Sequence, residues 1–381
     1  MIEYSVFMKQ QLDSPLQQLE QAAIDLENAK EKRNRNSRKD AETRLRKAAQ
    51  QCADIEPTIA YIWLKAIGSN FDDQIREAWK PRVTNSIQDW GSLNLNTGLP
   101  EIAHFPSGSW ALQFTFTLRK PYISRDDTDF YILDNPVKKE KVFKVPYVAS
   151  SQWKGALRAA MVQELVADLR NRKIDETAFI EKRLQYYYLF GNEKDGMAEF
   201  LNRAQARYKA GEPIPHKKED HTWQESFEAK VKEIGEAFET MLRGKGYRQG
   251  EIEGFQGHLY FYPTYFEKIG LEVINPHPRK TGGGKSPIYF ECVPEDDVKG
   301  VFTLLDVPLS GPELSPKEIQ EQASSDLQAV AKGIRAMMTS HGFGAKTSSG
   351  FGVANVDWKK ANIKPEKFQY RWQGAWQEEL K

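Results

Sequence analysis

The spacing of apolar positions changes period along the chain, and each change marks a structural region. From residue 14 to about residue 90 the spacing is helical. In "SPLQQLEQAAIDLENAK" Ser14 is expected to cap a helix and Pro15 to take its first position, with Leu16, Leu19, Ala23 and Leu26 on one face. "PTIAYIWLKAIG" supplies a second apolar stripe for a small helical domain. At Ser109 the period shortens to two. In "SWALQFTFTL" Trp110, Leu112, Phe114, Phe116 and Leu118 fall on one side, which predicts a half-buried strand. A helix capped by Ser150 or Ser151 is expected next, with Trp153, Leu157, Ala160, Met161, Val166 and Leu169 inward.

Residues 171–250 interrupt this order with two helical stretches, "DETAFIEKRLQYYYLFGN" and "TWQESFEAKVKEIGEAFETMLRGK", on either side of the polar spacer "KAGEPIPHKKEDH". Four short runs rich in β-branched and aromatic residues follow: "GHLYFYPTYF", "IGLEVINP", "PIYFECVP" and "GVFTLLDVPL". A helix over about 316–339 is expected to turn Ile319, Leu327, Val330, Ile334 and Met338 inward, and "FGVANVDW", residues 351–358, reads as the last strand. Strand, helix, paired strands, helix, strand is the order of a split βαβ unit. The expected class is therefore α+β, with a ferredoxin-like (RRM-like) core built on an antiparallel sheet. The expected regions are a helical N-terminal region over 1–105, the core over 106–170 and 251–358, a mainly helical insertion over 171–250, and a C-terminal tail over 359–381. In that tail Tyr370, Trp372 and Trp376 read as an aromatic cover on the core rather than a base-stacking platform.

At 381 residues the chain can bury a sizeable core. Its 54 Lys and Arg nearly balance 53 Asp and Glu, so net charge does not announce a polyanion partner and the distribution of charge has to decide. The basic run "KEKRNRNSRKDAETRLRK" reads either as a solvated helix face or mobile loop, or as a phosphate-contacting arm. The two cysteines, Cys52 and Cys292, belong to no CxxC pattern or His/Cys cluster, which argues against a disulfide framework and a structural zinc site and fits a reducing compartment. No charged leader with an apolar stretch opens the chain and no run of about eighteen apolar residues occurs, so a cytoplasmic location without membrane contact is expected.

Two glycine-rich segments test the phosphate-loop idea. In "RKTGGGKSP" the triplet Gly284, Lys285 and Ser286 resembles the end of a Walker motif, but Arg279 stands where the first glycine is required. Pro287 then leads into a strand-like run, whereas such a loop needs a helix behind it. What remains is an exposed hairpin carrying Arg279, Lys280 and Lys285. In "SHGFGAKTSSGFGVANV" Gly342, Gly344, Gly350 and Gly352 join a helix end to a strand, with Lys346, Thr347, Ser348 and Ser349 between them. Glycine there permits positive φ and close approach of a ligand, while the amides, hydroxyls and ammonium suit phosphate oxygens. A helix C-cap glycine followed by a β-bulge explains the same pattern equally well.

Taken together, the split βαβ order, "PYVASSQWKGALR" and "GFGAKTSSGFG" resemble the RAMP superfamily of CRISPR systems. More narrowly, "ILDNPVKKEKVFKVPYVASSQWKGALR" resembles the segment of type III effector-complex backbone subunits that joins the first core strand to the first helix: Asp134, Pro136, Val137, Pro146, Ser151, Lys154, Gly155 and Arg158 match in order. The hairpin sequence "INPHPRKTGGGKSPIYFECVP" is also similar to the family's basic hairpin. The resemblance covers about residues 109–158 and 255–358. It implies an RNA-guided complex in which several sibling subunits line up along a CRISPR RNA and display it to complementary target RNA. The basic loop with Lys138, Lys139, Lys141 and Lys144 would interrupt the duplex as a thumb, and Asp134 would promote cleavage beside it with a divalent metal, Mg or Mn. A carboxylate beside a kinked nucleotide can accept the 2′-hydroxyl proton or seat a cation against developing charge. Ser151, Lys154 and Arg158 at the helix start, the hairpin basic residues, and Gly342, Gly344, Lys346, Thr347 and Ser348 would hold the RNA. In "YISRDDTDFYI", where the family often has glycines and a Ser or His, Asp126, Asp127 and Asp129 compete for a metal role, and Gln152 replaces the second serine of the helix start. Two other readings share these residues. One is a non-catalytic guide-binding scaffold or capping subunit. The other is a metal-independent repeat-processing endoribonuclease with His104, His277 or His341 as its base.

Overall fold

A computed structural model of the protein describes residues 2–31, 35–66, 76–77, 79–81, 83, 95–96, 98–125, 132–133, 135–192, 195–211, 221–247, 255–275, 288–295, 298–309 and 313–377. Along these residues run helices α1 (Ile2–Glu31), α2 (Arg35–Ile55) and α3 (Pro57–Ala66), then strand β1 (Trp110–Leu118) and the short β2 (Tyr147–Val148). Helices α4 (Ser150–Arg170), α5 (Glu176–Phe190), α6 (Asp195–Ala210) and α7 (His221–Gly244) follow. Strands β3 (Leu259–Phe261), β4 (Thr264–Tyr265), β5 (Gly270–Ile274), β6 (Ile288–Cys292) and β7 (Lys299–Asp306) precede α8 (Pro316–Ala336), β8 (Ala354–Val356), β9 (Asn362–Lys364) and α9 (Gln369–Gln377). Two compact units result: residues 1–89, 124–139 and 267–294 form one, and 90–123, 140–266 and 295–381 the other.

The first unit is built on α1, α2 and α3, whose Leu19, Leu26, Leu45, Ala49, Cys52 and Tyr61 share one buried cluster. Pro15 does not begin a helix here. It lies inside α1, and Leu12, ahead of the expected cap, is buried, so packing holds the chain helical on both sides of the proline. The basic face of α2 is solvated: residues 36–40 are exposed, Arg38 pairs with Glu42 and Arg44 with Asp25 of α1. β5 and β6 form a two-stranded hairpin in this unit, from Gly270 opposite Cys292 to Ile274 opposite Ile288. The sequence pattern grouped these strands with the core sheet. Their ladder closes on itself instead, and Ile132 sinks into the helical cluster of the same unit.

In the second unit the sheet order is β3-β7-β1-β8, antiparallel throughout, with β9 sharing the β1 edge with β8. Along β1 the five residues picked out by alternation are all buried. Phe114 stacks on Phe302 of β7 and on Trp372 of α9, with centroids 5.0 and 5.3 Å apart. Trp372 thus covers the core as its tail position predicts, and its indole N–H donates to the Trp358 carbonyl at 2.7 Å. α4 sends Trp153 into the same core, edge-on to Phe302 at 5.0 Å, and its indole N–H donates to Thr264 Oγ1 at 3.1 Å. α8 crosses beside α4 at Gly333, where a Cβ would stand 2.2 Å from Met161. The opposite side of α4 is covered by the insertion: Val162, Leu165 and Leu169 pack with Phe179 of α5 and Leu201 of α6. The last core strand is shorter than the pattern suggested, because residues 350–353 belong to the glycine loop and not to β8.

Candidate nucleic-acid interface

In the second unit α8 ends in a π turn, Met337–His341, and the Gly342 amide closes it by donating to the Met337 carbonyl at 2.8 Å. The loop then folds over the segment that leaves β1. Ala345 N–H donates to Ile123 O at 2.6 Å, Gly352 N–H to Pro121 O at 3.0 Å and Arg119 N–H to Val353 O at 2.8 Å. Gly342, Gly344, Gly350 and Gly352 all have positive φ, and Lys346 joins them at +57°. Space as well as φ demands glycine at two of these positions. A Cβ on Gly352 would lie 1.9 Å from the Phe343 carbonyl oxygen, and one on Gly344 would lie 2.4 Å from that of Ile123. The fold therefore uses the glycines structurally, as a C-cap and a tight self-crossing. It still leaves Gly344, Lys346, Ser348 and Ser349 exposed at the tip and Thr347 half-buried.

The helix start lies beside this loop because of Tyr122. Its ring packs on Phe343 at 5.6 Å and against Gly344, while its O–H reaches Gln152 Oε1 at 3.2 Å. Gln152 Oε1 also accepts the Ala149 N–H at 3.2 Å. Ala149 is thus the N-cap residue, and Ser150 and Ser151 occupy the first two helical positions instead of capping. Gln152 takes over the reciprocal half of a capping box, a physical reason for finding it where the family pattern has serine. The first-turn amides of this 21-residue helix carry a partial positive charge suited to phosphate, beside exposed Ser151. Lys154 is half-buried on the next turn, and Arg158 donates to the Asn192 carbonyl at 3.4 Å.

Ahead of that helix, residues 140–145 form a closed turn. Glu140 Oε2 accepts the Phe143 and Val142 amides at 2.7 and 2.8 Å, which hold its carboxyl below the ordinary glutamate value. Lys141, Val142, Phe143 and Lys144 stand exposed on this turn, Lys144 with φ of +57°. Its two lysines therefore flank an apolar tip, which the sequence reading passed over. Lys120, the side chain nearest to Gly350, was likewise missed, as was Tyr122. No local pattern marks either residue, since the loop residues that they meet, Phe343 and Gly350, come more than 200 positions later.

The other expected thumb residues belong to the first unit, and here the expected exposed basic loop is corrected. Ile132, Leu133, Pro136 and Val137 are buried. The Asn135 carbonyl accepts the Glu291 N–H of β6 at 2.9 Å, Val137 N–H donates to Glu291 Oε2 at 3.3 Å, and Lys138 N–H donates to Ser124 Oγ at 2.8 Å. Lys139 pairs with Glu291, whose side chain is fully buried. The segment is held this way because two apolar pairs, Ile132-Leu133 and Pro136-Val137, are buried and the buried carboxylate needs a cation. Asp134 itself, Asp126, Asp127, Asp129, Arg279, Lys280, Lys285 and His277 lie outside the described residues. Among the described residues no group of three or more His, Cys, Asp or Glu side chains is arranged to hold a metal. His341 Nε2 bonds Glu164 Oε1 of α4 at 2.8 Å, and His104 is exposed. Burial pushes the Cys52 thiol up to about 11 and Cys292 up to about 12, which leaves both protonated at neutral pH. No described helix is long and apolar enough to cross a membrane.

Comparisons with known proteins come from three directions. Among curated proteins none matches the chain. Among solved structures it is similar to a chain of the type III-B Cmr-beta complex bound to cognate target RNA, with 11% identity, 78% of this chain and 74% of that chain covered, and a TM-score of 0.37. It is similar also to Cmr6 from Pyrococcus furiosus, with 17% identity, 65% and 97% covered, and a TM-score of 0.28. A chain of type III-B Cmr-beta in the apo state gives 12% identity, 66% and 97% covered, and a TM-score of 0.31. Residues 103–355, from just ahead of β1 into β8, match the model of the RAMP superfamily, and the chain belongs to that superfamily.

Proposed function

We propose that this chain is a CRISPR RNA-binding subunit of a type III effector complex, that sibling subunits flank it, and that it promotes cleavage of complementary target RNA at Asp134. The observation that carries the binding part is the junction at Tyr122, which sets the exposed tip of the 342–352 loop beside the N-terminus of α4. Backbone amides, the Ser151 and Ser348 hydroxyls and the Lys346 ammonium there suit a ribose-phosphate strand. The Lys141 to Lys144 turn adds two cations around Val142 and Phe143, a surface on which an unstacked base can rest. We read the core as ferredoxin-like: the order β3-β7-β1-β8, with α4 and α8 as the two crossing helices, supports that topology.

Cleavage rests on Asp134, the residue that the family resemblance assigns to it; next to it in sequence, the Asn135 carbonyl accepts the Glu291 N–H at 2.9 Å and Leu133 is buried. A divalent cation, Mg or Mn, held by Asp134 and the RNA itself would supply charge neutralisation at the scissile phosphate. The test is Asp134→Ala in the assembled complex. Target cleavage is expected to fall at least about 100-fold with guide binding unchanged, and chelation to abolish cleavage in the parent. Undiminished cleavage by the variant would make the chain a guide-binding scaffold. Cleavage that survives chelation would move the reaction to a histidine.

A further inference from the structure

At the end of the second unit's sheet away from the glycine loop lies a cavity of about 180 Å³ with a different chemistry. Its floor is Asp306, the last residue of β7, and Asp326 of α8, each 2% exposed. Asp326 Oδ1 accepts the Tyr188 O–H at 2.8 Å and a Gln185 side-chain N–H at 2.7 Å. Asp306 Oδ1 has no hydrogen-bond partner among the described residues, although it is buried and lines the cavity. An orphaned carboxylate oxygen beside a second buried carboxyl is expensive to maintain, and a fold that needed only packing would have an apolar residue there. Burial, and then the neighbouring Asp326 charge, push the Asp306 carboxyl well above its ordinary value, and burial raises Asp326 to about 7. Pro308, Leu309, Leu314 and Ile319 give the cavity apolar walls, Tyr247 an aromatic face, and Ser107, Gln322 and the buried His258 its other polar groups.

We propose that this cavity binds an organic cation, a guanidinium or primary ammonium on an alkyl stem, with Asp306 as its main counter-charge. The two carboxyls are too few for a metal: no group of three metal-ligating side chains is gathered among the described residues. A cationic head would give Asp306 Oδ1 the donor it lacks, and its methylenes would lie along the apolar walls. Tyr247 adds a ring face for the charge. Asp326 lies about 20 Å along α8 from His341, where the glycine loop begins, so the site is separate from the RNA surface and does not depend on that reading. Two sources present the same chemistry: a free polyamine-like molecule, or an arginine or lysine side chain of another polypeptide.

The experiment titrates the RNA-free full-length chain with agmatine, and separately with the blocked tripeptide acetyl-Gly-Arg-Gly-amide, by calorimetry. At least one probe is expected to bind with a Kd of about 1 mM or tighter, and Asp306→Asn to weaken it about ten-fold. Tighter agmatine binding identifies a free cation, and tighter tripeptide binding a protein side chain. Repeating the titration of the unaltered chain in two buffers of different ionisation heat should show proton release, since the cation displaces protons from the carboxyls. The proposal is overturned if neither probe binds, if Asp306→Asn binds as tightly as the parent, or if the heat is independent of the buffer.

Discussion

Lys139 and Lys141 are two residues apart in one basic run, yet the structure gives them different work. Lys139 neutralises the fully buried Glu291 carboxylate, and Lys141 stands in solvent on a turn. Removing one partner of a buried pair costs about 3 kcal/mol, whereas an exposed lysine is worth less than about 0.5 kcal/mol. Lys139→Ala is therefore expected to lower the urea midpoint of unfolding clearly, and Lys141→Ala to leave it in place while weakening RNA binding. A loss of RNA binding in Lys139→Ala with unchanged stability would contradict that assignment. The buried aspartates give a second expectation at this scale. The folded-state value of Asp326 is about 7, above the ordinary 3.8, and Asp306 is raised in the same direction, so the folded protein holds protons that the unfolded chain has released. Stability is then expected to fall as pH rises from about 4 to about 7. Asp306→Asn should melt higher than the parent at pH 8, with the advantage shrinking toward pH 4, as thermal denaturation in the two conditions will read.

At the scale of elements, the start of α4 shows how local signals and tertiary contacts divide the work. The sequence placed the helix and its inward face correctly, because Trp153, Leu157, Ala160 and Leu169 keep helical spacing. It chose a serine as cap by side-chain chemistry. The structure uses Ala149, because Gln152 accepts the cap amide and ties it to Tyr122. Gln152→Ala is expected to cost about 1 kcal/mol of stability and to loosen the glycine loop. Amide hydrogen exchange across residues 342–352 should rise in that variant, and unchanged exchange would show that the Tyr122 link does not hold the loop. The misplaced start of α1 has the converse cause: Ser14-Pro15 is a sound local stop-and-start signal, and buried Leu12 and Leu19 override it.

For the whole molecule, a net charge of +1 means that the proposed RNA affinity has to come from local clusters. If Lys346 contacts a single-stranded phosphate, Lys346→Ala should reduce the slope of log affinity against log salt by about 0.7. An unchanged slope in filter binding across a salt series would remove the glycine loop from the interface. Helices α5 and α6, in the region that the sequence marked as an interruption, pack on the outer side of α4 through Phe179 and Leu201, and α7 packs on them in turn, so the helix whose N-terminus is proposed to meet phosphate is held from both sides.

The sequence alone determined the class of the protein, the order of its core elements, the inward face of each long element and the family, because periodicity and turn chemistry are properties of neighbours a few positions apart. That Lys141, Lys144, Lys346 and Ser348 stand exposed outside the long helices and strands was legible for the same reason. What only the tertiary structure decided were pairings between distant positions: β5 and β6 as a separate hairpin, Lys139 claimed by Glu291, Tyr122 joining loop to helix, and Asp306 and Asp326 lining one cavity. Each depends on segments brought together by burial of apolar surface, and a single sequence carries no local record of which distant groups will then share a space without water.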